Sequence, residues 1–510
     1  MTATAEIQTT AAPPADVDIA VIGSGFSGLA MARGLKRAGH SSFVVLERAL
    51  DVGGTWRDNH YPGCACDVPS HLYSFSFAPN PEWSSTFSPQ PEIRSYLRGV
   101  SEDEGLLEHV CLGCNVEEAA WDNAAHRWRI PTSRGRVSAR VLIAAAGPLT
   151  EPSIPDIPGL ADFPGAVFHS ATWDHDHDLR GERVAVVGTG ASAIQFVPQI
   201  QPRVGKLTLF QRTAPWIMPR PDRPITRLER AVYRRVPAAQ RLMRAAIYWG
   251  RELYAIPLLR AGLAKVIERI ARRHLRRQVP DPALRAKLTP DYAPGCKRIL
   301  VSNDYLPSLS KPNVDVVTDG IAEIRGRTIV TRDGAEHEVD TIILGTGFHV
   351  TDLPIAEQVR GRDGRSLAEH WEDGGMQAHR GTTVAGFPNL FFLLGPNTGL
   401  GHTSVVVMAE AQAGYVLRAL EHMREREAVA LEVRADAQRA WNDEVQRKMQ
   451  GTVWLSGGCA SWYLDKNGRN TTLWPDFTFR FRRTMKRFEP GEHRVILPSH
   501  APERELEPVA

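Results

Sequence analysis

The chain has 510 residues, a formal net charge of +3, 43% apolar residues and six cysteines. That length exceeds one ordinary core and predicts two or three domains. The near-neutral balance excludes a chain-wide nucleic-acid binder, and no run of uncharged apolar residues is long enough to span a bilayer.

Residues 1–16 carry no charged-then-apolar secretion signal and read as a short disordered lead. Sparse cysteines predict a reducing compartment, and the chain reads as cytoplasmic. Asp18–Ile22 is an apolar strand that runs into the turn Gly23-Ser24-Gly25-Phe26-Ser27-Gly28. Leu29–Ala38 reads as a helix, and Ser41–Leu46 as a second strand ending at Glu47. In such a unit the glycines let the backbone approach a pyrophosphate at the helix N-terminus. Glu47 stands 24 residues after Gly23, where a carboxylate accepts hydrogen bonds from a ribose diol. The cluster Gly53-Gly54-Thr55-Trp56, Tyr61-Pro62-Gly63 and Cys66-Asp67 follows. It suits a large, permanently held cofactor, so FAD is expected here. Cys64-x-Cys66 and Cys111-x-x-Cys114 lack the second half of a zinc site, so no metal is expected.

Val141–Gly147 is a strand with a glycine exit, followed by a proline-rich connector to Pro158. Glu182–Val187 then opens a second glycine turn, Gly188-Thr189-Gly190-Ala191-Ser192-Ala193, and Lys206–Phe210 is the next strand. Arg212 stands 24 residues after Gly188, the offset that Glu47 keeps from Gly23. A carboxylate there would repel the 2′-phosphate of NADP, whereas a guanidinium pairs with it. Arg212 and Thr213 therefore predict NADPH over NADH.

Residues 221–290 hold 17 Lys/Arg against 5 Asp/Glu. They read as a basic helical insertion, suited to a solvated face, an anionic membrane surface or a cofactor phosphate. Thr341–Gly347 and Leu390–Gly395 are further strands, and 404–422 reads as a helix after the turn Pro396–Gly399. The fold class is α/β, with two Rossmann-like dinucleotide-binding domains and a helical insertion in the NADP domain. The expected organisation is an FAD domain in segments 1–155 and 350–510. An NADP domain lies in segments 156–219 and 296–349, with the insertion at 220–295.

The segment Phe163-x-Gly165-x-x-x-His169-x-x-x-Trp173-Asp174 lies between the two nucleotide motifs. With Gly53-Gly54-Thr55-Trp56-x4-Tyr61-Pro62-Gly63-x3-Asp67, it resembles the type I Baeyer–Villiger monooxygenases. The resemblance runs from Ile19 to about residue 485. It implies FAD contacts from Gly23, Gly25, Phe26, Ser27, Gly28, Glu47, Gly54, Thr55, Trp56, Asp67, Val68 and Tyr73. It implies NADPH contacts from Gly188, Thr189, Gly190, Ala191, Ser192, Arg212, Thr213 and Lys297. Arg298 corresponds to the active-site arginine and Asp67 to its carboxylate partner. His169 and Trp173 are expected to couple the domains, and Trp462 to sit on a substrate loop. This chain lacks the Gly-Lys-Pro common after that tryptophan.

The implied reaction uses NADPH and O2 to convert a ketone to an ester or lactone through a flavin C4a-peroxide stabilised by Arg298. The composition fits linear, cyclic, aromatic and steroidal ketones alike and carries no oligomeric signal. A monooxygenase acting on sulfur or nitrogen is the nearest alternative. An NADPH-dependent disulfide reductase or an uncoupled NADPH oxidase is another. A reductase would use Cys-x4-Cys after the first motif, whereas Cys64 and Cys66 are separated by one residue.

Overall fold

The computed structural model describes residues 12–372, 374–459 and 461–498. Most of the expected N-terminal lead lies outside the described residues, and its last residue, Asp16, already begins a strand. Two parallel-cored sheets organise the molecule. The first runs in the order Val359–Arg360, Ala119–Asp122, Arg127–Thr132, Gly135–Ala144, Asp16–Ile22, Phe43–Leu46 and Val110–Cys111. Leu390–Phe392 joins it in parallel beside Gly135–Ala144. The second runs in the order Val314–Val317, Lys206–Phe210, Arg183–Val187, Thr341–Leu344 and Ala166–His169, all parallel.

Runs such as Phe43–Leu46 and Thr341–Leu344 are buried at every position. Strands covered on both faces need continuous apolar sequence rather than alternation. The second sheet is contributed entirely by chain lying between the two parts of the first. Within the first, the antiparallel ribbon of Ala119–Asp122, Arg127–Thr132 and Gly135–Ala144 extends the parallel core.

The basic stretch folds as Arg227–Arg235, Pro237–Tyr254, Ile256–Leu259, Ala264–Gln278 and Pro282–Lys287. It leaves and re-enters through a two-stranded parallel contact, Ile217–Met218 with Leu300–Val301. That contact fixes where the chain returns, immediately after Lys297 and Arg298. Thr226 starts the insertion with a reciprocal capping box to Glu229, and Arg234 and Arg235 complement the helix dipole at its end.

Two local expectations change. The first helix is Phe26–Arg37 and begins inside the glycine turn, because its first free N–H groups line that turn. Cys296 and Cys459 are joined by a disulfide, which the view of the cysteines as reduced did not anticipate. Their 163-residue separation hides the pairing in the sequence. Among the described residues, no helix is long and apolar enough to cross a membrane.

Candidate active site

The first glycine turn is shaped by close backbone approach. Gly23 has φ +97°, and a Cβ there would lie 2.8 Å from the Ala145 carbonyl oxygen. A Cβ on Gly28 would lie 1.8 Å from the Gly23 oxygen, an outright clash. Gly25 caps the helix Phe26–Arg37 without any side-chain bond, and the first turn holds no acid. Its free N–H groups and dipole therefore suit a pyrophosphate. Gly54 faces Gly25 at backbone distance, so a Cβ on Gly54 would lie 3.0 Å from the Gly25 Cα. Thr55 and Trp56 begin the short helix that follows.

Glu47 is buried at the end of its strand. It accepts from the Ser24 amide at 3.0 Å, the Ser24 hydroxyl at 2.6 Å and the Ala49 amide at 2.9 Å. Arg57 Nη1 pairs with it at 3.0 Å. The carboxylate is thus held in a fixed orientation beside the turn, as a ribose-binding acid requires. Phe26, Ser27 and Val68 are buried around the turn. The Trp56 indole donates to the Tyr73 hydroxyl at 3.0 Å, and Tyr73 meets Phe26 edge-on. The donor set and the glycine cradle fit FAD.

The second turn repeats the plan. Gly188 has φ +107°, and a Cβ there would lie 2.4 Å from the Gly345 oxygen. Ser192 precedes the helix Ala193–Ile200, again with neither side-chain cap nor acid in the first turn. Thr189 donates to the Thr213 carbonyl at 3.1 Å, which pins the turn to the segment carrying Arg212. Gly190, Ala191 and Arg212 are exposed. Lys297, brought from beyond the insertion, packs over the Tyr292 ring. Burial lowers its pKa, and the nearby Arg212 charge lowers it further. Neither cation has a salt-bridge partner among the described residues. Two mutually repelling cations without a close ion-pair partner beside a dinucleotide turn fit the extra phosphate of NADP.

Asp67 and Arg298, 231 residues apart, meet in a bidentate pair, with Nε–Oδ2 and Nη2–Oδ1 both at 2.8 Å. Asp67 ends the first nucleotide cluster, and Arg298 ends the return from the insertion. Burial pushes the Asp67 carboxyl up, but the Arg298 charge and hydrogen bond outweigh it and hold the group below its usual range. Asp67 in turn raises Arg298, against the opposing effect of burial. Both side chains keep partial exposure, 26% for Asp67 and 33% for Arg298, so the charged pair is not sealed in the core.

Three neighbours of this site escaped sequence analysis. Arg251 in the insertion reaches the Asp67 carbonyl at 3.3 Å. Tyr463 lies within electrostatic reach of Arg298. Arg57 joins Glu47 to Asp58. Their signals were weak: one arginine among many, a tyrosine overshadowed by Trp462, and a basic residue inside an aromatic cluster.

The remaining candidates do not converge on the pair. His169 is buried, and its Nδ1 accepts from the Ala171 amide at 3.1 Å. Burial lowers its pKa to about 4, so the ring is neutral at ordinary pH. It packs edge-on against Phe348, beside the exit of the second sheet. Trp173 is buried between Phe168 and Phe196. Asp174 caps the following turn through the amides of Asp176 and His177. The fingerprint segment thus braces the edge of the second sheet. Trp462 is 45% exposed and packs at a tilt against Tyr463, with ring centroids 4.3 Å apart.

Two dinucleotide cradles and a charged pair reached from both their domains define an NADPH-dependent flavoprotein monooxygenase. Residues 20–248 match the family model described as pyridine nucleotide-disulphide oxidoreductase. A Baeyer-Villiger monooxygenase of Streptomyces coelicolor is 56% identical over 489 residues, covering 95% of this chain and 94% of the relative. One from Pseudomonas aeruginosa is 49% identical, covering 96% and 93%. A solved structure described as the OTEMO complex with FAD and NADP superposes with a TM-score of 0.85 at 26% identity, covering 95% of this chain and all of that one. The chain belongs to the Baeyer–Villiger monooxygenases. It uses FAD and NADPH to insert one oxygen atom of O2 beside a ketone carbonyl, giving an ester or lactone.

Proposed function

We propose that the Asp67–Arg298 pair is the oxygen-insertion centre of this enzyme. The observation that carries this is the bidentate contact itself, which joins the FAD cluster to the segment after the insertion. FAD, reduced by NADPH, supplies the activation of O2. Arg298 supplies a permanent positive charge where negative charge develops on the reacting oxygen and the substrate carbonyl. Asp67 fixes the plane of the guanidinium and keeps it from swinging to solvent. Arg212, Thr213 and Lys297 hold the NADPH 2′-phosphate, and Glu47 holds the FAD ribose. His169 and Trp173 brace the connection between sheets and exchange no proton with substrate. Trp462 offers an apolar cover to the ketone.

Oxidation at sulfur or nitrogen has no comparable need for an anion-stabilising guanidinium. A disulfide reductase needs a reactive thiol beside the flavin, whereas burial pushes the Cys64 thiol up to about 12. Arg298→Ala should still bind FAD and accept hydride from NADPH, while ester formation falls about 10²–10³-fold, as for loss of an oxyanion-stabilising donor. Unchanged ester formation would remove Arg298 from the chemistry.

The insertion also supports peripheral contact with an anionic lipid surface. Leu242, Trp249 and Leu253 are 72%, 56% and 67% exposed and share one face of Pro237–Tyr254, with the exposed Arg241 on the same helix and 17 Lys/Arg across residues 221–290. This apolar stripe in a basic field suits acidic headgroups. Sedimentation with phosphatidylserine vesicles, but not phosphatidylcholine vesicles, is expected, and loss on Trp249→Ser/Leu253→Ser. No sedimentation with either would overturn it. A cytoplasmic location suits the demand for NADPH.

A further inference from the structure

Arg298 is not positioned by Asp67 alone. The return segment 292–298 and the late segment 453–463 are knitted together beside it. The Ala293 amide donates to the Gly457 carbonyl at 2.9 Å. A Cβ on Gly457 would lie 2.5 Å from the Cys296 Cβ, so only glycine permits this approach. Cys296, Trp454, Tyr463 and Tyr292 share one apolar cluster. The Cys296–Cys459 disulfide crosses between the segments. Cys296 immediately precedes Lys297 and Arg298, and Cys459 lies four residues before Tyr463. The Tyr463 side chain is buried, and it lies close enough to the Arg298 guanidinium for the two to interact electrostatically. The Tyr463 amide donates to Ser461 Oγ at 3.2 Å, which fixes the local turn.

We propose that Tyr463 and the Cys296–Cys459 disulfide form a redox-addressable brace that positions Arg298 for oxygen insertion. Tyr463 is a positioning residue, and the disulfide ties its segment to the return segment that carries the arginine. This rests on the assignment of Arg298 given above. The two sulfurs differ in access. Cys296 is fully buried, whereas Cys459 is partly exposed and follows the exposed Gly458. A dithiol is the fitting reductant. One thiolate attacks Cys459 Sγ, the bond to Cys296 breaks, and Cys296 leaves as a thiolate that takes up a proton. The second thiol of the reductant then attacks the mixed disulfide. Cys459 is freed as a thiol, and the reductant leaves as its own disulfide. Two electrons and two protons pass to the protein. The two segments are then joined only by packing and the Ala293–Gly457 backbone hydrogen bond, and Tyr463 no longer holds the guanidinium in place.

The test uses the holoenzyme purified without reductant. Half is treated with dithiothreitol and desalted under nitrogen. Alkylation and peptide mapping count the thiols at 296 and 459. Hydrogen exchange of residues 293–300 and 456–464 is measured in both forms, with and without FAD. The ester formed per NADPH consumed is then compared. Expected is a bridged pair in the untreated protein and faster exchange in both segments after reduction. Ester per NADPH should fall about tenfold, the effect of losing one polar contact with a charged group. The rate of flavin reduction should stay unchanged. Cys296→Ser/Cys459→Ser should behave as the reduced form and ignore dithiothreitol. Tyr463→Phe keeps the ring and should lower coupling without changing the KM for NADPH. Two free thiols in the untreated protein, or equal exchange in both forms, would overturn the brace. So would full coupling in Tyr463→Phe. If no form oxygenates any ketone, the assignment of Arg298 fails, while the exchange data still decide whether the bridge joins the two segments.

Discussion

The two glycine turns follow one plan and differ at two places. Both begin with a glycine at positive φ, pressed against a carbonyl of the neighbouring strand exit: Gly23 on Ala145 and Gly188 on Gly345. Both open a helix with uncapped N–H groups. The third position of the motif is Gly28 in the first turn and Ala193 in the second. In the first, the helix lies so close to the turn that even a methyl group is excluded. In the second, the methyl is accommodated and buried. The other difference lies at the end of the following strand. Glu47 is buried and saturated with hydrogen bonds. Arg212 is exposed and unpaired among the described residues. A tightly closed cradle with a fixed acid suits a cofactor that stays. An open cradle with free cations suits one that comes and goes.

The largest effect should come from the tight turn. Gly28→Ala puts a Cβ 1.8 Å from the Gly23 oxygen, so the turn cannot form. No yellow, soluble protein is expected, as read from flavin absorbance of the purified fraction. Gly190→Ala is the counterpart test, because its Cβ meets nothing nearer than the Gly345 oxygen at 3.8 Å. That variant should fold and hold FAD, with only its NADPH affinity reduced. If Gly28→Ala binds FAD normally, the contrast between the turns fails.

Next comes the pair of cations. Arg212→Ala/Lys297→Ala removes two charge-assisted contacts and should lower kcat/KM for NADPH about 100-fold or more. The value for NADH should hardly change. Stopped-flow flavin reduction with each nucleotide separates the cases, and equal losses for both would break the assignment. Glu47→Gln should weaken FAD retention about tenfold on dialysis while leaving the KM for NADPH alone. A parallel loss of NADPH affinity would mean that the two cradles are not independent.

The smallest effect is on pH. Burial and the Arg212 charge lower the Lys297 pKa. The phosphate contact proposed for Lys297 would therefore be present at neutral pH and lost as pH rises through that depressed value. The KM for NADPH should climb on the alkaline side before the ordinary lysine range is reached, and Lys297→Ala should abolish this limb. An unchanged limb in the variant would remove Lys297 from it.

Much of this was legible in the sequence because it is local. A strand, a glycine turn, a helix and a terminal acid or base lie within about 25 residues, and their spacing carries the geometry. The fingerprint around His169 was equally visible, yet its residues prove to pack and cap rather than face the charged pair. Periodicity could not reveal the antiparallel ribbon before Ala144, whose strands read as ordinary surface sequence. Long-range pairings were hidden for a different reason. Asp67 met Arg298 only through the family resemblance. Tyr463, Arg251 and the Cys296–Cys459 bridge depend on where the insertion returns, which no local pattern encodes.

The central claim is tested most directly with isotopic oxygen. The holoenzyme would be supplied with NADPH, 18O2 and a panel of linear, cyclic and aromatic ketones, beside its Arg298→Ala variant. The account predicts one 18O atom in the ester or lactone and the other in water for the wild type, and label diverted to hydrogen peroxide in the variant. It is contradicted if the wild type sends all its label to peroxide with every ketone, or if the variant labels the ester at the wild-type rate.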